Sequence, residues 1–185
     1  NGEYKFKQIN LEKIKNNKDA FIKTNEKKIG KSAEEFFGIK DILIEKFKNF
    51  ENKVLIVSSL DYIIEKDCYK ISLYLSEIIN EQDLTISKWK KIFSSNKCLS
   101  IDLTKNPRFA AASSGGRLSK LDENNIILSV GDFYADGVNG PVLSQDLSNQ
   151  YGKLLKIDKN LKLKRPHEGM LLYERFRQNK YQQIF

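Results

Sequence analysis

The sequence is poor in the residues that build metal centres and membrane spans. It holds one histidine, His167, and two cysteines, Cys68 and Cys98, with no Cys-x-x-Cys pair. That scarcity argues against a zinc site, which takes several Cys or His ligands at short spacing. His167 follows Pro166 in a charged stretch and reads as an exposed loop residue. No apolar run approaches the roughly 18 residues of a membrane-spanning helix. Residues 1–20 are polar and Lys-rich, without the apolar segment of a signal peptide. The chain opens on Asn1 rather than Met, so the expectation is either a removed leader or a piece of a longer protein. With 3 prolines and 10 glycines it is not collagen-like or low-complexity.

What is present belongs to a soluble globular chain. At 185 residues, 40% hydrophobic and 30% charged, there is enough apolar side chain for one domain with a core. The net charge of +8 comes from lysine far more than arginine, and the lysines are scattered along the whole length. A basic balance suits nucleic acid or an anionic surface. No Arg-rich stripe or nucleic-acid motif accompanies it, so a solvated Lys/Glu surface is favoured and a polyanion-binding module is the third choice.

Residues 1–37 read as a ragged connection, with one strand near the start and one helix near Ser32–Phe37. In the latter, Ser32 offers a cap and Glu34-Glu35 supply first-turn acids. From Gly38 the texture changes to short runs rich in Ile, Val, Leu, Tyr and Phe at 41–45, 53–60, 68–79 and 88–95. In the third run Tyr69, Ile71, Leu73 and Leu75 alternate with Lys70, Ser72, Tyr74 and Ser76, the period of a half-buried strand; a helix over 69–79 with Leu73 and Ile78 on one face is the alternative, and the Tyr, Ile and Ser content favours the strand. A second set follows at 116–122, 125–133 and 151–158, with 169–176 as a fourth run, and Asp122–Asn125 as a tight turn between the first two. Two consecutive sets of about four antiparallel strands are what β-propeller blades present, and two blades do not close a propeller. The expected fold is therefore all-β and an incomplete propeller, one domain fragment with a first blade at 38–99 and a second blade and tail at 100–185; two sheets packed as a sandwich are the other arrangement.

A hairpin joining 68–79 to 86–98 has its midpoint near Asp83. Antiparallel pairing about that point sets Cys68 across from Cys98, a position that suits a disulfide if the side chains agree in direction. Such a bridge points to an extracytoplasmic compartment; two unpaired thiols in a reducing one are the alternative.

Gly115-Gly116-Arg117-Leu118, Ser129-Val130-Gly131-Asp132, Gln145-Asp146-Leu147-Ser148 and Gly152-Lys153-Leu154-Leu155-Lys156-Ile157 follow one another in order. In order and spacing this block resembles the soluble quinoprotein sugar dehydrogenases, the glucose/sorbosone dehydrogenase family. Residues 38–99 resemble the family's preceding blade more loosely, its paired cysteines included. The resemblance implies a six-bladed propeller binding pyrroloquinoline quinone (PQQ) with calcium, in which a histidine base takes a sugar hydroxyl proton as the quinone accepts hydride. That histidine stands just ahead of the Gly-Arg-Leu piece, and the matching position here is Ser113. A serine hydroxyl is not a base near neutral pH without a neighbouring base to activate it.

Other residues of the block have two readings each. Arg117 could pair with a cofactor carboxylate, or turn outward to a neighbouring acid. Asp132 could ligate a cation, or cap a turn through backbone N–H groups. Asp136, Asn139, Gln145 and Asp146 lie in the long connection 134–150, which carries oxygen donors without calcium-hand spacing. The leading function is thus a quinoprotein-like sugar oxidoreductase lacking its usual base. The alternative is a noncatalytic propeller that binds carbohydrate or a protein partner.

Overall fold

The computed structural model describes residues 11–30, 32–101, 111–135 and 142–158. Antiparallel strands dominate them, in a curled half-barrel sheet with a smaller sheet beside it. The first sheet begins with β1 (Ile39–Glu45), β2 (Val54–Ile63) and β3 (Cys68–Asn80), paired in that order. Two-residue β4 (Thr85–Ile86), β5 (Lys90–Ser94) and β6 (Leu99–Ser100) all pair with β3. The second sheet is the meander β7 (Gly115–Asp122), β8 (Asn125–Val130) and β9 (Lys153–Ile157). Every strand run read from the sequence within the described residues is therefore a strand, while 169–176 and His167 lie outside them.

Local chemistry explains the pairing. β-branched and aromatic residues crowd β2 and β3, whose side chains suit a pleated surface packed on both sides. The β7–β8 turn is closed by Asp122, whose carboxylate accepts the Asn124 N–H at 2.7 Å and the Asn125 side-chain N–H at 2.7 Å. That is the tight hairpin read from Asp122–Asn125. One apolar core serves both sheets: Ile56, Leu60, Ile71 and Leu73 of the first pack with Ile126, Leu128, Leu155 and Ile157 of the second.

Three expectations about the elements need correcting. The segment 1–37 is not merely ragged: α1 (Lys18–Ile29) precedes the anticipated short helix, here α2 (Ser32–Phe36), and the strand read near the start falls largely outside the described residues. β3 is not half-buried. Its Ser72, Tyr74 and Ser76 face is buried as well, because residues 12–16 run over it. Tyr74 O–H donates to the Lys15 carbonyl at 3.3 Å, Asn16 to Ser59 Oγ at 2.8 Å, and Trp89 Nε1 to the Glu12 carbonyl at 2.8 Å. β8 ends at Val130 rather than Phe133, because the chain turns sharply after Gly131.

The disulfide Cys68–Cys98 is present, its Cα atoms 5.6 Å apart. Ser72 pairs with Ser94 and Leu73 with Phe93, the register centred on Asp83. Ser95 still bonds Ile71, its N–H reaching the Ile71 carbonyl at 2.9 Å; beyond it the ladder lapses and resumes two residues out of step, with Cys68 opposite Ser100. The bridge is therefore diagonal rather than directly across the pair, within reach because neighbouring diagonal positions also approach closely.

Candidate functional site

The four sequence blocks converge on one junction. A single 3-10 turn, Ala111–Ser113, leads into β7, and the chain leaving β8 folds back against it. Gly131 N–H donates to the Ser114 carbonyl at 2.8 Å, and Phe133 N–H to the Ser113 carbonyl at 3.4 Å. The contact admits no side chain: a Cβ on Gly131 would run into the Ser113 carbonyl oxygen, and one on Gly115 would lie 2.7 Å from the Gly131 nitrogen. Gly115 also holds φ +68°, which favours glycine. The spacing of the Gly-Gly-Arg-Leu and Gly-Asp pieces is thus a close-packing requirement.

After Gly131 come two consecutive non-glycine residues in the left-handed region, Phe133 at φ 57° and Tyr134 at φ 59°. Each such residue costs on the order of 1 kcal/mol or more and persists only where surroundings fix it. Here Asp132 fixes it from both ends: its Oδ1 accepts the Tyr134 N–H at 3.1 Å and its carbonyl accepts the Ala135 N–H at 2.9 Å. Phe133 is the anchor, fully buried with its ring 5.2 Å from Tyr69 and 5.6 Å from Tyr151. The outcome is an exposed Tyr134 ring at the lip of the junction.

The connection from Leu143 to Gly152 closes the other side. Lys153 is buried, and its ammonium donates to the carbonyls of Tyr151 at 2.8 Å, Asp146 at 3.2 Å and Leu143 at 3.3 Å. Burial lowers its pKa from the ordinary lysine value. Asn149 adds two local bonds, donating to the Leu143 carbonyl at 3.1 Å and accepting the Tyr151 N–H at 2.8 Å. Lys97 and the Ser148 hydroxyl and amide hold the Asp146 carboxyl well below the usual carboxylate range.

The sequence-predicted residues share this region in different roles. Ser113 is half-buried, with its carbonyl supporting the turn at Phe133. Arg117 turns outward, 80% exposed, with Nη1 3.6 Å from Asp41 Oδ1, the outward reading. Asp132 makes the turn-capping bond its alternative reading describes. Asp146 is occupied by Lys97 and Ser148, and Gln145 is exposed. Asp136 and Asn139 lie outside the described residues. Among the described residues no group of three or more His, Cys, Asp or Glu is placed to hold a metal ion.

Sequence reasoning passed over Lys97, Asn149, Tyr151 and Lys153. Lys153 alternates correctly for an inward position on β9, but a lysine there reads as surface on composition alone. A separate apolar groove of about 1150 Å³ opens beside β1, lined by Leu11, Ile14, Ile39, Ile42, Val57 and Trp89, and includes none of the residues singled out from the sequence. No helix among the described residues is long and apolar enough to cross a membrane.

No known family, curated protein or solved structure matches this chain.

Proposed function

We propose that the chain contributes two sheets to a β-propeller of the glucose/sorbosone dehydrogenase type, acting outside the cytoplasm, and that its junction binds carbohydrate. The observation that carries the reading is Tyr134. A strained backbone, held by Asp132 and anchored by Phe133, presents an aromatic ring to solvent next to the point where the Leu143 N–H reaches the Ala135 carbonyl, bringing up a loop with exposed Gln145 and Ser148. An aromatic face with polar groups around it suits a sugar ring, which offers an apolar face and a rim of hydroxyls. The disulfide supports an oxidising compartment.

Titration calorimetry against a panel of aldoses and oligosaccharides tests this. Binding that weakens at least about tenfold in Tyr134→Ala supports it, a loss of roughly 1.4 kcal/mol. Lack of heat with every sugar at millimolar concentration removes it.

Oxidation of the sugar by PQQ and calcium is the second reading, favoured by the order of the four blocks. The donor set among the described residues does not fit that group. Arg117 faces solvent on Asp41, Asp132 is spent on its turn, and Ser113 has no base placed beside it by any described contact. No chemical step is therefore routed through these residues. Adding PQQ and calcium and following dye reduction with aldoses is the decisive assay; turnover would replace pure recognition with catalysis. DNA binding at low salt that disappears at moderate salt would favour the polyanion reading instead.

A further inference from the structure

We propose that Cys68–Cys98 anchors a thiol-responsive latch holding the loop of residues 143–152, so that a dithiol reductant frees this loop while both sheets stay folded. The inference does not depend on whether the junction binds sugar.

The latch is built from residues adjoining Cys98. Between Ser94, where β5 ends, and Leu99, where β6 begins, the chain belongs to no strand. Its residues nevertheless reach across to the connection that leads into β9. Asn96 N–H donates to Gln150 Oε1 at 2.8 Å and Asn96 Nδ2 to the Ser148 carbonyl at 3.0 Å. Lys97 Nζ lies 2.8 Å from Asp146 Oδ2, and the Lys97 carbonyl accepts the Tyr151 hydroxyl proton. Ser95 Oγ and Tyr151 Oη add a contact at 2.8 Å. What fixes the far end of this connection is the disulfide and the two-residue strand β6.

Access is one-sided. Cys68 is only 4% exposed, but Cys98 is half-buried and follows exposed Asn96 and Lys97. A thiolate of the dithiol attacks Cys98 Sγ, forming a mixed disulfide and releasing Cys68 as thiolate, which takes up a proton. The second thiol of the reductant then attacks the mixed disulfide and releases Cys98. Two electrons and two protons pass to the protein, and the reductant leaves as its own disulfide. Both sheets have support that does not pass through the disulfide: β2 and β3 are registered over ten residue pairs, β8 and β9 over five, and the core cluster they share includes neither sulfur.

Hydrogen exchange on the whole protein, oxidised and after dithiothreitol, tests the latch. Exchange across 143–152 is expected to quicken by about tenfold or more on reduction while 54–63 stays within about twofold, since local opening leaves the global fold intact. No change in 143–152, or equal quickening in 54–63, overturns it. The double variant Asn96→Ala/Lys97→Ala keeps the disulfide and removes the side-chain tethers to Ser148 and Asp146, leaving the backbone bonds to Gln150 and Tyr151. It should quicken exchange across 143–152 by at least about threefold without reductant, with reduction adding the rest, and a loop as protected as in the parent chain overturns the proposal too.

Discussion

At the scale of single residues, the junction depends on polar groups placed where polar groups are costly. Lys153 is the clearest, a buried ammonium whose three carbonyl partners all belong to the loop it closes. Lys153→Met keeps the chain length and removes the donors, leaving carbonyls of Leu143, Asp146 and Tyr151 without them. The expected loss is about 1.5–3 kcal/mol, read as a lower urea midpoint at unchanged slope; a shift under about 0.5 kcal/mol would show that the ammonium is incidental. Burial also raises the phenol pKa of Tyr69, Tyr74 and Tyr151, the last pushed up to about 12. Tyrosines of the unfolded chain ionise near pH 10 while these three stay protonated in the fold, so their contribution is complete below pH 10 and drains away above it. The lowered pKa values of Lys40 and Lys153 act oppositely, raising stability with pH until the unfolded lysines discharge near 10.5. Above that point the tyrosines act alone. Urea titrations at stepped pH should show stability falling beyond about pH 10.5, with tyrosinate absorbance of these three appearing only on unfolding. A flat profile to pH 12 would contradict the burial of their hydroxyls.

At the scale of elements, α1 is held by tertiary packing rather than by its own sequence. Asn17 at its start makes no side-chain cap bond, and the helix closes when Gly30 N–H returns to the Glu26 carbonyl at 2.7 Å. Its attachment is Phe21, fully buried, stacked on Phe37 with ring centroids 4.0 Å apart and edge-on to Tyr62 at 5.4 Å. Phe21→Ala should cost about 3–5 kcal/mol and expose α1 to proteolysis ahead of the strands; equal protection of α1 in the variant would mean other contacts hold it. The same facts explain why the sequence hides α1. The inward stripe has Asn25 where an apolar residue would mark the period, and lysines and Thr24 dilute the rest. Strands were legible because β-branched runs and Asp-Asn turn chemistry act locally. The buried second face of β3 was not, since serines look solvated until residues 12–16 are known to cover them. In the junction, the Gly-Gly and Gly-Asp pieces were visible as turn chemistry. The strained Phe133-Tyr134 pair and the lysine-closed loop depend on contacts distant in sequence.

At the scale of the whole molecule, the two sheets behave as one body if their shared core and their seam agree. The seam runs along β1 and β7. Leu118 N–H donates to Asp41 Oδ2 at 2.9 Å, Lys120 pairs with Glu45 at 2.8 Å, and Ser58 Oγ donates to the Gly116 carbonyl. Exposed ion pairs of the Lys120 kind add little by themselves. The buried bond from Ser58 and the apolar core beneath it carry the join. Gly116 makes the close approach possible, with φ +94° and a hypothetical Cβ only 2.5 Å from Lys40 Cβ and 3.3 Å from Ile71 Cδ1. Gly116→Ala must therefore either strain its backbone or push β7 off the first sheet, at an expected cost of about 2 kcal/mol or more. Because Ile126, Leu128 and Val130 lose cover when β7 moves, the second sheet has no separate core to fall back on. Denaturation of the oxidised parent chain followed by far-ultraviolet circular dichroism and by Trp89 and tyrosine fluorescence should give one coincident transition, and Gly116→Ala should shift it whole. Two separated transitions in the parent chain, or a variant in which only the second sheet melts early, would mean that the seam joins two independently stable units.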